Sequence, residues 1–237
     1  MIDIVEILNS HKFTVLWSGG KDSTAALLWT INNVNHDDWN ILYIEVTGNT
    51  SPLCNQYIHE TAEILGVSDR LIHAKSESDF FDLIRKNGIP TPMTRWCMRV
   101  MKLEVMKRHG HYIQVTGIKR ADSRARKNVQ LLGKSKNSDN LLINPICYWS
   151  DKEVLRYIND HGVPLNPCYR LYGHSGNCMF CPYHTKRAIL LTMQDPYWKR
   201  KILEISKYVY GRISKEKIQA WRELSFQTVL SVERGSE

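Results

Sequence analysis

Residues Phe13–Val34 read FTVLWSGGKDSTAALLWTINNV, and this stretch decides the fold. FTVLW is a short apolar run of strand type that ends at Gly19-Gly20, and Ser23–Val34 follows with helical periodicity. A strand that turns through two glycines straight into a helix makes an anion cradle. Glycine lets the backbone bend tightly and brings N–H groups toward an incoming oxyanion. The helix N-terminus adds free donors and partial positive charge. Within Ser18–Thr24 (SGGKDST), Lys21 brings a full charge, and the hydroxyls of Ser18, Ser23 and Thr24 are candidate donors. The spacing is not that of a Walker A loop, which needs four residues between its first glycine and the GK pair.

Outward from this loop the same alternation repeats. Ile41–Val46 is the next strand, followed by a helix from about Asn55 to Leu65 that Gly66 stops. Leu71–Ala74 is a brief third strand, Ser78–Lys86 a helix, Arg95–His109 another helix, and Tyr112–Thr116 a fourth strand. The pattern predicts an α/β fold: a mostly parallel sheet of about five strands, joined by right-handed crossovers, with helices on both faces. Asp151–His161 is an amphipathic helix with Ser150 or Asp151 as its cap. A Pro- and Cys-bearing loop occupies Val163–Pro182, and Thr185–Leu230 is basic, aromatic and helical in period. The expected division is a sheet domain over 1–184 and a helical appendage over 185–237, frayed from Glu233.

The chain has 237 residues, 43% of them hydrophobic and 24% charged, a composition of the soluble globular class. Its apolar runs fall short of the roughly 18 residues that span a bilayer. The opening MIDIVEILNSHK has no signal-peptide pattern, so the expected location is cytoplasmic, with no membrane partner. A formal charge of +8 suits a polyanionic partner, nucleotide phosphate or nucleic acid.

SGGKDS directly after an apolar strand resembles the PP-loop of the ATP pyrophosphatases, the adenine nucleotide alpha-hydrolase-like superfamily. Further stretches narrow the resemblance to its phosphoadenosine phosphosulfate (PAPS) reductase branch. VTGNT (Val46–Thr50) is similar to that branch's segment after the second strand. GIKRADSRAR (Gly117–Arg126) resembles its G-I-R-x-x-E-S-x-x-R, departing at Lys119 and Asp122, where Arg and Glu are usual. Lysine keeps the charge but loses the bidentate fork. Asn144–His184 looks like the branch's segment that ends in G-C-x-x-C-P. The resemblance implies ATP with Mg²⁺ as bound cofactors, held by Ser18, Gly19, Gly20, Lys21, Asp22, Ser23, Thr24, Thr47, Gly48, Gly117, Lys119 and Ser123. It implies that Lys21, Arg120 and Arg126 stabilise the departing pyrophosphate and that Asp22 positions the magnesium. The implied reaction is attack on the α-phosphorus with transfer of AMP to an acceptor, either a tRNA or DNA base or a small metabolite. Sulfur from a donor protein can then displace the AMP.

Six cysteines occur, and in a reducing compartment their clustering points to metal or redox chemistry. Cys178 and Cys181 have the two-residue separation that lets both thiolates reach one metal, and Cys168 precedes Cys178 in the same loop. The family resemblance adds Cys97. Four thiolates suit either a [4Fe–4S] cluster or a tetrahedral Zn²⁺. His184 is a further candidate ligand, whereas Cys54 and Cys147 read as small buried residues. Reductases of the branch carry a nucleophilic cysteine near the C-terminus, and here none follows Cys181. The expectation is therefore no PAPS or APS reduction, with a genuine sulfonucleotide reductase kept as an alternative. The other rival is a nucleic-acid-binding module on the same scaffold. It rests on Tyr197–Trp221, where lysines and arginines stand beside Trp198, Tyr208 and Tyr210; solvated lysines on covering helices read the same way.

Overall fold

The fold was obtained as a computed structural model that describes residues 3–210. Strands β1 (Phe13–Leu16), β2 (Trp39–Glu45), β3 (Leu71–Lys75), β4 (Ile113–Val115), β5 (Leu132–Lys134) and β6 (Leu141–Ile143) form one sheet, in the order β3-β2-β1-β4-β6-β5. All neighbouring pairs are parallel except β5 and β6. The interior strands are mostly apolar because both faces are covered, with polar exceptions such as Thr14, Asn40 and Gln114. Along β2, Ile41 and Tyr43 join one buried cluster while Leu42 and Ile44 join another. Ala25 and Leu28 of α2 (Lys21–Asn33) pack with Val154 and Ile158 of α6 (Asp151–Asp160). Helix α6 starts on a capping box between Ser150 and Glu153, the reciprocal pairing that satisfies two orphan donors.

Chain order reverses at β1, which lies between β2 and β4. In an open parallel sheet the crevice beyond the strand ends at such a switch point takes the ligand. The SGGKDST loop leaves β1 there, and Gly117 follows β4.

The sheet has six strands, against about five expected. The β5–β6 hairpin consists of two three-residue strands, too short to show periodicity. Helix α1 (Ile4–Ser10) is also additional; the carboxylate of Asp3 caps it, accepting from Val5 N at 2.9 Å. Helix α2 begins at Lys21 with Gly20 as its N-cap, two residues ahead of the expected start. The expected Arg95–His109 helix is divided: a π-helical turn spans Met98–Leu103, and α5 (Glu104–His109) follows it.

Remaining helices are α3 (Pro52–Ile64), α4 (Phe80–Asn87), α7 (Cys168–Tyr172), α8 (Lys186–Thr192) and α9 (Pro196–Tyr210). Ile189, Trp198, Ile202 and Ile205 belong to the same buried cluster as the sheet residues. An Arg85–Glu204 pair at 3.0 Å ties α9 to α4. The basic stretch beyond Tyr210 and the terminal residues lie outside the described residues. Among those described, no helix is long and apolar enough to cross a membrane.

Candidate functional site

A cavity of about 360 Å³ opens at the switch point. Ser18, Gly20, Asp22 and Ser23 form one wall, Leu42, Ile44, Met98 and Met106 an apolar wall, and Gly117, Asp122 and Arg126 a third. Close approach makes this geometry possible. A Cβ on Gly117 would stand 2.5 Å from the backbone of Asp22 and Ser23, so β4 runs onto the loop only because that residue is glycine. Gly19 adopts φ +73°, a conformation open to glycine at little cost.

The loop's serines bond inward. Ser23 Oγ donates to Gly20 O (2.9 Å) and accepts from Ser18 N (3.2 Å). Ser18 Oγ, 3.2 Å from Ser23 Oγ, must therefore donate to it. An arriving phosphate would draw these hydroxyls round. Thr24 differs: it is buried, and its hydroxyl accepts from Trp17 Nε1 at 3.0 Å. It supports the loop from the core and, unlike Ser18 and Ser23, does not line the cavity.

Charge around the loop is balanced by pairing. Lys21 Nζ lies 3.0 Å from Asp22 and 2.7 Å from Asp151. The Lys119 side chain is inaccessible to solvent, with Nζ at 2.6 Å from both Asp22 and Asp122 and 3.2 Å from Asp151. Burial alone would depress this ammonium, but hydrogen bonds and charges from Asp122 and Asp22 overcome burial and hold it above the ordinary lysine range. Burial likewise works to raise Asp122, yet the bond to Lys119 keeps it below the usual carboxylate range, with Arg126 adding to the effect. A hydrogen bond from Lys21 lowers Asp151. Enclosed by three carboxylates, Lys119 acts as the keystone of the loop and not as a direct phosphate contact.

Other expected ligands point elsewhere. Arg120 donates to Val129 O (2.6 Å) and Gln130 Oε1 (3.1 Å), with its guanidinium 4.4 Å from the Tyr148 ring, so it is turned out of the cleft. Thr47 bonds Ser76 through its hydroxyl (2.5 Å) and its N–H (3.0 Å). Gly48 faces Asp79, whose carboxylate would lie 2.0 Å from any added Cβ. Ser123 is exposed. The strand end expected at Thr47-Gly48 is displaced because β2 meets the cavity earlier, through Leu42 and Ile44.

Behind the shared wall lies a smaller cavity of about 80 Å³, lined by Cys97, Cys178 and Cys181 with Val46, Phe80 and Phe180. Burial raises the Cys97 thiol and pushes that of Cys181 up to about 12. Cys168 does not join them. It is fully buried against Gly176, where a Cβ would come within 2.6 Å of its sulfur. Among the described residues no three Cys, His, Asp or Glu side chains stand converged as a metal set. The donor chemistry of Cys97, Cys178 and Cys181 in one apolar cavity nevertheless suits a thiophilic metal or cluster. His184 stacks on His174 with ring centroids 3.9 Å apart and does not line this cavity.

Motif reading did not single out four residues that organise the site. Lys102 lines both cavities and donates to Asn177 Oδ1 at 2.7 Å; the π-helical turn that carries it reads in sequence as ordinary helix. Asp151 reads in sequence as a helix cap, yet it also pairs with Lys21 and Lys119. Asn166 Nδ2 donates to Gly19 O (3.0 Å) and Ser175 O (2.8 Å), and Tyr169 OH accepts from Lys21 N–H (3.0 Å). Both stand in the Asn166-Pro-Cys-Tyr169 run of the segment that resembles the family, and that run is the available clue.

The sequence profile of the phosphoadenosine phosphosulfate reductase domain matches residues 12–183. Two uncharacterized proteins of Methanocaldococcus jannaschii are similar: one is 28% identical over 73% of this chain and 42% of that protein, the other 26% over 71% and 35%. The chain thus spans less than half the length of either. Among solved structures, the tRNA thiolase NcsA of Methanococcus maripaludis, described with its [4Fe-4S] cluster, aligns with TM-score 0.51 at 18% identity, over 87% of this chain and 73% of that one. That likeness speaks to the fold.

Proposed function

The chain belongs to the phosphoadenosine phosphosulfate reductase domain family, and from that premise we propose that it cleaves ATP to AMP and pyrophosphate and adenylates an acceptor for sulfur transfer. The triphosphate lies on Ser18–Ser23, with the adenine against the apolar wall of Leu42, Ile44, Met98 and Met106. An acceptor oxygen attacks the α-phosphorus, the α–β phosphoanhydride bond breaks, and pyrophosphate leaves with its charge met by Lys21 and Arg126. Fixed donors of this kind act most strongly where charge develops in the transition state. Asp22 would hold Mg²⁺ through its waters, and the ion would neutralise phosphate charge. A sulfur nucleophile then displaces AMP from the acceptor.

Cys97, Cys178 and Cys181 would hold an iron–sulfur cluster or zinc, and that group would supply sulfur or Lewis-acid chemistry beside the nucleotide. The observation that carries this reading is the common wall. Met98 and Lys102 line the phosphate cavity on one side and the thiol cavity on the other, so nucleotide activation and thiol chemistry sit back to back. A polyanionic acceptor, tRNA or DNA, suits the +8 charge.

The decisive assay follows α-labelled ATP with Mg²⁺ and either tRNA or DNA. AMP and pyrophosphate are the expected products, and their absence with every acceptor overturns the proposal. Release of sulfite from PAPS or APS with a thiol reductant would instead favour the reductase alternative.

A further inference from the structure

The phosphate site is not made by the SGGKDST loop alone. The Cys-bearing loop packs against it, latched by Asn166 to the carbonyl of Gly19 at 3.0 Å and by the Tyr169 hydroxyl to the N–H of Lys21 at 3.0 Å. A Cβ placed on Gly20 would lie 3.5 Å from Tyr169 Oη and 3.9 Å from Ser175 Cβ. Tyr169 and Ser175 therefore wall the glycine turn directly.

The hydrogen bonding of Tyr169 is incomplete. Its oxygen accepts from Lys21 N–H, yet its own O–H proton has no acceptor among the described residues. The ring is largely buried, and burial pushes the phenol up to about 12, so it keeps that proton throughout the physiological range. A neutral hydroxyl with a spare proton thus sits at the N-terminus of α2, where the helix presents its orphan donors. No side chain caps that terminus.

We propose that Tyr169 is a pyrophosphate-binding residue, its hydroxyl donating to the β- or γ-phosphate while Lys21 N–H turns from the phenol to the same phosphate group. This rests on the reading that ATP occupies the Ser18–Ser23 loop. It gives the Cys-bearing loop a second task, since the segment that supplies Cys178 and Cys181 also closes the phosphate cradle.

The test compares wild type with Tyr169→Phe by titration calorimetry, using MgATP and AMP on each protein. The ATP-to-AMP affinity ratio within one protein is the readout, so any loss of folded fraction cancels. Removing one hydrogen bond to a charged phosphate lowers that ratio about ten- to a hundredfold, with AMP binding held within about twofold. An unchanged ratio overturns the proposal. So does a raised one, because it means that the phenol competes with phosphate for Lys21 N–H. If wild type ignores MgATP, the function reading falls separately, and titration with inorganic pyrophosphate still decides on Tyr169. Weaker pyrophosphate binding by the variant supports the role; equal binding, or none by wild type, removes it.

Discussion

The two cavities share a wall but are built on opposite electrostatic plans. On the phosphate side, cations are matched by carboxylates: Lys119 alone touches Asp22, Asp122 and Asp151. On the thiol side the walls are mostly apolar, with Arg95 and Lys102 but no carboxylate in the lining, and burial outweighs those cations to raise the thiols of Cys97 and Cys181. The first is a charge-matched array of cations and carboxylates, and the second holds Cys97 and Cys181 as protonated thiols. The physical lesson concerns desolvation. A buried charge persists only where counter-charges and hydrogen bonds offset its lost hydration, and without them a thiol keeps its proton.

The largest effect that would break this contrast comes from Lys119. Lys119→Met removes a fully buried ammonium from among three carboxylates that keep partial solvent access and their bonds to Lys21 and Arg126, and the expected loss is about 2–3 kcal/mol, as for a hydrogen bond to a charged group. Urea unfolding of the variant reads it directly. A loss under about 1 kcal/mol would mean that water or a bound cation replaces the ammonium, and the keystone role would be wrong.

On the thiol side, the measurement is metal content after purification without oxygen. Cys97→Ser is expected to lose most of the bound metal and any visible absorbance, whereas Cys168→Ser, with its sulfur packed against Gly176, keeps both. If the two variants lose metal equally, the cavity lined by Cys97, Cys178 and Cys181 is not the metal site as described.

Next in size is a pH effect beneath the Cys-bearing loop. Burial lowers His174 to about 3 and His184 to about 4, against about 6.5 in an unfolded chain. Between those values the unfolded state binds more protons, so stability rises with pH across that window and falls on acidification below about pH 6.5. Each histidine contributes roughly 1.4 kcal/mol per pH unit in mid-window. Urea midpoints at pH 7, 6 and 5 should show the slope, and a His174→Gln/His184→Gln double variant should flatten it. An unflattened slope would move the cause elsewhere.

The smallest effect separates two arginines from one motif. Arg126 lines the larger cavity, and Arg120 sits over Tyr148 outside it. Arg126→Ala is expected to weaken MgATP binding about tenfold, as loss of a charged hydrogen bond does, while Arg120→Ala changes affinity by less than about twofold. The reverse order would place the phosphates on the other side of the Gly117–Arg126 turn.

Much of the frame was legible in the residues themselves. The FTVLW run, the double glycine and the following helical period place an anion cradle at a strand end, because backbone freedom and helix polarity are local properties. The parallel strands of β1 to β4 announced themselves through apolar runs bounded by helices. The β5–β6 hairpin did not, since strands of three residues carry no period. The π-helical turn at Met98–Leu103 was likewise hidden, because its side chains mimic a helical pattern while the backbone departs from it.

Sequence by itself therefore determined the fold class, the cradle, and which residue types carry charge and sulfur. Tertiary structure alone decided which of them face the same space: that Arg120 turns out and Arg126 in, that Thr24 serves the core, that Lys119 is locked among carboxylates, that Cys168 stands apart from the other thiols, and that Tyr169 reaches a loop 148 residues away. The reason is that a motif encodes local backbone geometry, while the direction of a side chain is set by the packing and counter-charges that distant segments bring to it.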